Sequence, residues 1–236
     1  MAPGKSQPEI PFLGENVVAA PLRRLLRELC QILGEVFGPQ GWWPGETPFE
    51  VALGAILTQN TNWNNVARVI GGLKKAGLLN PRALRELPEA ELAPRLRPVG
   101  YYNVKARRVK NFLGFLARFH DSLAVMAKED LDTLRPALLA LQGIGPETAD
   151  SILLYALHKP TFVVDAYTFR ILSRHGLLPE ACSYEELRQL FMDHLPPEVP
   201  LYQEYHALLV RLGKEFCRPQ PRCEACPLNG WPPSEA

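Results

Sequence analysis

Long apolar runs are missing from this chain, and so is an apolar core near its start. No stretch reaches the roughly 20 residues that a bilayer-spanning helix needs, and the opening MAPGKSQPEIPFLGEN lacks the h-region of a secretory leader. The expected compartment is cytoplasmic and reducing. A net charge of one sign is also missing: 26 basic residues stand against 25 acidic ones, leaving +1, so overall charge selects no class of partner. The cysteines do not form a paired framework. There are 5, with Cys217, Cys223 and Cys226 near the end, which argues for metal chemistry rather than disulfides. Strand signals are nearly absent, since TFVV (161–164) has no second run to pair with. There is no internal repeat, no low-complexity linker and no oligomerisation stripe, so a monomer is expected.

One absence is local. No acid falls between Leu92 and His120, while Arg95, Arg97, Lys105, Arg107, Arg108, Lys110 and Arg118 all do. Such a run is either a phosphate footprint or a solvated helix face.

What is present is helix. Hydrophobic residues make up 47% and charged residues 22%, enough apolar material for a core without staples. PLRRLLRELCQILGEVF (21–37) keeps a helical period, and FEVALGAILTQ (49–59) is apolar on most sides, as in a buried helix. Helical patterns follow near 63–76, 81–86, 101–119, 130–141, 147–157 and 166–176, with two more in YEELRQLFMDHL and YQEYHALLVRLGKEF. The 23 prolines fall largely at junctions. The predicted fold class is all-α.

Four short stretches carry chemistry. In LQGIGPETAD (141–150), Gly143 and Gly145 permit a tight turn whose N–H groups, with those of the next helix, point outward. That suits a phosphate and reads no base sequence; simple helix packing is the other reading. In TFVVDAYTFRIL, Asp165 precedes a helical run, where the helix dipole favours a carboxylate. It is a plain cap, or a charge that stabilises a sugar cation or orients water. GWWPGE and the following helix supply Trp42, Trp43, Pro44 and Trp63. They either anchor a loop or stack on a flat ligand, best on a cationic one. Finally, CRPQPRCEACPL spaces Cys217, Cys223 and Cys226 as C-x₅-C-x₂-C, a metal-loop pattern.

Taken together, the glycine hairpin with VVDAYTFRIL, PVGYYNVKARRVKNFLGF (98–115), AILTQNTNWNNV (55–66) and the cysteine tail resemble the endonuclease III superfamily of DNA glycosylases, over about residues 30 to 228. The resemblance implies a six-helix domain with a helix–hairpin–helix at 45–155 and a second helical domain from 1–44 and 156–236, with double-stranded DNA in the groove between them. It also implies a nucleoid-associated protein that flips a damaged nucleotide from the stack. It makes Asp165 the catalytic acid. It assigns Gln59, Asn60, Tyr101, Asn103, Lys105, Gly143, Gly145 and Thr148 to DNA contact, with Gln59 and Tyr101 filling or wedging the vacated hole.

Three departures refine the expectation. Bifunctional members carry lysine where this chain has Glu147; that amine forms a Schiff base and opens the strand. Glu147 cannot, and Lys159 lies twelve residues on, so a monofunctional enzyme with a water nucleophile is expected. Glu147 either positions water or complements a helix dipole. Second, WWP, ILTQNT, GIG-x-E and VVD together are similar to the 3-methyladenine DNA glycosylase III branch, which implies a pocket of Trp42, Trp43, Pro44 and Trp63 and an alkylated purine as substrate; the branch has phenylalanine at Trp63. Third, the family's [4Fe–4S] loop has four cysteines, and the fourth is missing near Pro232. The expectation is a cluster with another fourth ligand, with a three-cysteine zinc site or an empty loop as alternatives. An endonuclease III-like glycosylase for mismatched or oxidised bases, and a catalytically weak damaged-DNA-binding protein, are the competing functions.

Overall fold

The protein is described here through a computed structural model of residues 19–179 and 181–232. Among these residues no strand forms, and all regular structure is helical. The run 161–164 is an extended segment, fully buried, with the Thr161 hydroxyl donating to Asp150 Oδ1 at 2.9 Å. No helix among the described residues is long and apolar enough to cross a membrane.

The chain divides into two contact units. Among the described residues, the first holds 19–39, 166–179, 181–196 and 208–232; the second holds 40–165 and 197–207. The second unit therefore contains the 45–155 stretch and adds the tryptophan loop, the segment up to Asp165 and one turn and more of a later helix.

The first unit contains α1 (Ala19–Phe37). The second begins with α2 (Pro48–Leu57), capped by the Thr47 hydroxyl on the Glu50 amide at 3.2 Å. Every residue of α2 from Phe49 to Leu57 is buried, as its all-round apolarity predicts. α3 (Trp63–Lys75) and α4 (Pro81–Glu86) start on Asn62 and Asn80 caps. α5 (Glu89–Arg95) has no sequence counterpart above: it is short and carries Pro94 inside, which hides its period. α6 (Tyr102–Leu116) buries Ala106, Val109, Phe112 and Leu113 on one face. α7 (Leu123–Met126) is a single turn, too short to show a period.

α8 (Leu131–Leu139) and α9 (Pro146–Ser151) flank the glycine turn, and a π-helical turn, Ile152–Ala156, continues α9. Asp150, 0% exposed, accepts from Arg135 Nε at 2.9 Å and Nη2 at 3.0 Å and so ties α8 to α9. α10 (Ala166–Arg174) and α11 (Tyr184–His194), with a Ser183–Glu186 capping box, belong to the first unit. α12 (Val199–Glu215) contributes residues 199–207 to the second unit and the remainder to the first.

Candidate active site

The second unit gathers Asp165, Glu147, Tyr155 and His206, which lie far apart in sequence. Each comes from a different local device. Asp165 ends the buried extended segment directly before α10. Glu147 occupies the first turn of α9, where an acid complements the dipole. Tyr155 sits in the π turn and His206 on α12. His206 Nε2 lies 3.6 Å from Asp165 Oδ2, and its Nδ1 lies 2.7 Å from the Tyr155 hydroxyl. Both His206 and Tyr155 are buried, at 4% and 5% exposure.

The electrostatics agree with the geometry. Glu147 has an open surface, yet protein around its carboxyl raises its pKa, and the negative Asp165 raises it further while His206 opposes the shift. Burial, again with Asp165, pushes the Tyr155 phenol well above its ordinary value, so it keeps its proton. Asp165 and Glu147 therefore share one field. Nothing in the sequence, where the two stand 18 residues apart on different elements, requires that the charge of one reach the other.

The aromatic residues also meet. Trp43 packs edge-on against Trp42 at 5.7 Å and against Trp63 at 5.6 Å, and tilts onto Tyr155 at 5.2 Å. Gly54 makes room: a Cβ there would stand 3.2 Å from Trp43 Nε1 and 3.2 Å from the Trp63 ring. Pro44 is exposed at the edge of this group. The nearly perpendicular contact between Trp43 and Trp63 leaves no parallel slot between those two rings, so a base stacks on an outer face or displaces one of them. Through Tyr155 and His206 the aromatic group runs on to Asp165.

The DNA-contact set separates into exposed and internal members. Tyr101 is 73% exposed, in a left-handed conformation at φ 44° ahead of α6. Asn60 and Asn103 are exposed too, Asn60 with φ 53°. Gln59 is engaged instead: its amide donates to Thr148 Oγ1 at 2.7 Å and to Gly143 O at 3.2 Å, and its carbonyl accepts from Arg108. Thr148 is 5% exposed and faces inward. Lys105 must be removed from the phosphate set. It is 1% exposed, and its ammonium donates to Leu57 O at 2.9 Å and Val99 O at 2.6 Å. Burial, and secondarily Arg108, lowers its pKa to about 8.

Arg108 and Lys110 of the basic run are half-buried and engaged with protein groups. Lys110 closes the end of α4 through Leu84 O, Arg85 O and Leu87 O. Exposed positions remain at Arg95, Arg97, Arg107 and Arg118. The two readings of this run thus divide residue by residue.

In the hairpin only Gly143 is required to be glycine. Its φ is 91°, and a Cβ would stand 2.4 Å from Arg108 Cγ. Gly145 has φ −88° and nothing within 4 Å of a Cβ, so its turn role in the expectation is corrected: the free protein demands no glycine there. Ile144 is buried and Leu141 half-buried.

The cysteine loop lies in the first unit. Cys217, Cys223 and Cys226 line one cavity of about 210 Å³ with Arg174, His175 and Trp231. The donors have the right chemistry for iron or zinc. Their arrangement does not fit: among the described residues no group of three or more His, Cys, Asp or Glu side chains is placed to hold a metal ion. The loop is held by protein groups. Arg170 donates to Cys217 O at 2.6 Å, and Arg174 to Arg218 O at 2.6 Å, to Pro219 O at 3.1 Å and to Cys217 Sγ at 3.4 Å. The ligand role expected for the three cysteines is corrected accordingly, and no catalytic step is derived through a metal.

Motif reading missed Tyr155 and His206, and it placed Arg108 in the basic run without its bond to Gln59. Tyr155 and His206 are 51 positions apart, and only the fold brings them together.

Comparison with known proteins agrees with this architecture. Residues 53–197 match the HhH-GPD superfamily of base excision DNA repair proteins. A Methanocaldococcus jannaschii chain, provisionally assigned as a DNA repair glycosylase, is 46% identical over 87% of this chain and 94% of its own. Endonuclease III of Sulfolobus acidocaldarius is 28% identical over 78% of this chain and 80% of its own. The solved structure of the 3-methyladenine DNA glycosylase MagIII of H. pylori bound to 1,N6-ethenoadenine superposes with a TM-score of 0.71 at 30% identity, covering 82% of this chain and 97% of that one. The chain belongs to the HhH-GPD superfamily of base excision DNA repair proteins and is a DNA N-glycosylase.

Proposed function

We propose that the protein is a monofunctional glycosylase that removes alkylated purines, of the 3-methyladenine kind, from double-stranded DNA by hydrolysis. The observation that carries this reading is Glu147 in the first turn of α9, an acid where a Schiff-base enzyme needs an amine, in the same unit as Asp165. The solved relative bound to a modified adenine supports the purine assignment.

In this reading the damaged nucleotide turns out of the stack, and Tyr101 occupies the space it leaves. The base stacks on the tryptophan group. An N3- or N7-alkylated purine is a cation, so the electron-rich rings favour it, and it leaves without much help from an acid. As the glycosidic bond stretches, positive charge grows at C1′ and the ring oxygen. The Asp165 carboxylate stabilises that charge and orients a water for attack at C1′. The products are a free base and an intact strand with an abasic site. The protein acts as a monomer, and exposed arginines of the 92–120 stretch contact phosphate.

A second reading is an endonuclease III-like glycosylase for other damaged bases, favoured by the likeness to the Sulfolobus acidocaldarius enzyme and by the cysteine spacing. An excision assay on a panel of damaged duplexes, with and without alkali, separates the two. Release of alkylated purine, with strand cutting only after alkali, supports the first. Cutting without alkali, or excision confined to oxidised or mismatched bases, contradicts it.

A further inference from the structure

A buried pair, Tyr155 and His206, faces Asp165, and we infer that His206, oriented by Tyr155, is a positioning residue that fixes the Asp165 carboxylate for glycosidic hydrolysis. The inference rests on the proposed role of Asp165.

The Tyr155 hydroxyl has one proton and two neighbours: His206 Nδ1 at 2.7 Å and Gln203 O at 3.2 Å. Deep burial keeps the phenol protonated. If the proton goes to the nearer nitrogen, Nδ1 is the acceptor and Nε2 carries the imidazole hydrogen. If it goes to Gln203, Nδ1 carries a hydrogen. Nε2 then either presents a lone pair to a carboxylate, which is repulsive, or is protonated in an imidazolium. Each favourable state places an N–H at Nε2, facing Asp165 Oδ2.

That N–H needs an acceptor. His206 Nε2 is fully enclosed and makes no hydrogen bond, and an enclosed donor without an acceptor is costly. Asp165 Oδ2, at 3.6 Å, is close enough that a movement of about 0.6 Å produces an ordinary N–H···O bond. The bond would set the plane of the carboxylate relative to the sugar.

Further contacts support the pair. Tyr155 lies in the π turn Ile152–Ala156, a distortion frequent at functional sites. Its ring leans on Trp43 at 5.2 Å. Gln203 Nε2 donates back to Leu154 O at 2.9 Å, and Glu204 accepts from the Gln40 amide at 2.7 Å. The relay therefore links the tryptophan group to the acid: Trp43, Tyr155, His206, Asp165. A histidine placed only for packing would not need its outer nitrogen aimed at a carboxylate.

The test compares the wild type with His206→Phe, His206→Gln and Asp165→Asn, on whichever damaged duplex the wild type excises. Two quantities are measured: the single-turnover rate constant of the bound complex, and the affinity for an uncleavable abasic-analogue duplex. The first does not depend on the fraction of protein folded. His206→Phe should slow excision by about 10- to 100-fold, the range for losing an orienting partner of a reacting group, with affinity unchanged within about threefold. His206→Gln, which keeps a donor near the same place, should recover most of the rate. Wild-type rates in His206→Phe, equal loss in both His206 variants, or a loss confined to affinity would each overturn the inference while leaving the role of Asp165 standing. A wild-type rate in Asp165→Asn would instead overturn the proposed function, and the inference with it.

Discussion

The side-chain amide of Gln59 donates to the Thr148 hydroxyl at 2.7 Å, joining residues 89 positions apart. The end of α2 is thereby fastened to the glycine hairpin, and Arg108 closes the arrangement by donating to the carbonyl oxygen of the same amide. A residue expected to enter the duplex is, in the free protein, part of the scaffold that positions the turn.

This relationship can be measured without DNA. Gln59→Ala removes bonds to Thr148, Gly143 and Arg108, and each such bond contributes about 1 kcal/mol. Denaturant unfolding of the free protein should show a loss of about 1–3 kcal/mol. An unchanged midpoint would mean that Gln59 serves only in the complex.

The two hairpin glycines should respond differently to alanine. At Gly143 the backbone is left-handed and the new methyl meets Arg108, so Gly143→Ala should cost about 1–3 kcal/mol. At Gly145 φ is ordinary and the space is open, so Gly145→Ala should be neutral or stabilising by about 0.5 kcal/mol. Equal unfolding midpoints for the two variants would contradict this.

The ion pair beneath the hairpin should matter more than either glycine. Asp150 is 0% exposed and accepts from Arg135 Nε and Nη2 and from the Thr161 hydroxyl. Asp150→Ala strands the guanidinium and should cost about 3–5 kcal/mol, whereas replacing both partners by apolar residues should restore part of that. The double-mutant cycle reads the difference directly.

Lys105 should leave a signature in alkaline stability. The folded side chain loses its proton at about 8, whereas an unfolded lysine holds it to about 10.4. Between these values the unfolded chain binds more protons, so stability rises with pH; below about 8 the full burial cost is present. Urea unfolding of wild type against Lys105→Met should favour the wild type by about 3 kcal/mol more at pH 10.5 than at pH 8. A difference flat across that window would place the amine in solvent.

Much of the fold was legible because it repeats. The long helices keep their apolar period, and α2 was recognisable as buried because it is apolar all round. α5 and α7 were not, since seven residues around a proline and a single turn carry no period. The site was legible where chemistry is local: Asp165 before its helix, Glu147 in a first turn, three tryptophans near one another in the chain. It was not legible where contacts are long-range. Lys105 and Lys110 look like phosphate ligands in sequence, but their stems carry the ammonium groups to backbone carbonyls inside the unit. Likewise Tyr155 and His206 lie outside every motif and meet Asp165 only through α12.

The central claim is that hydrolysis proceeds beside Asp165 with no amine attacking the sugar. Borohydride trapping tests it most directly, because reduction turns any Schiff base between enzyme and DNA into a permanent link. Incubated with an excisable duplex and borohydride, the wild-type protein should release free base and show no cross-linked species, and Glu147→Lys is the variant in which a cross-link could arise. A wild-type protein–DNA cross-link would contradict the account.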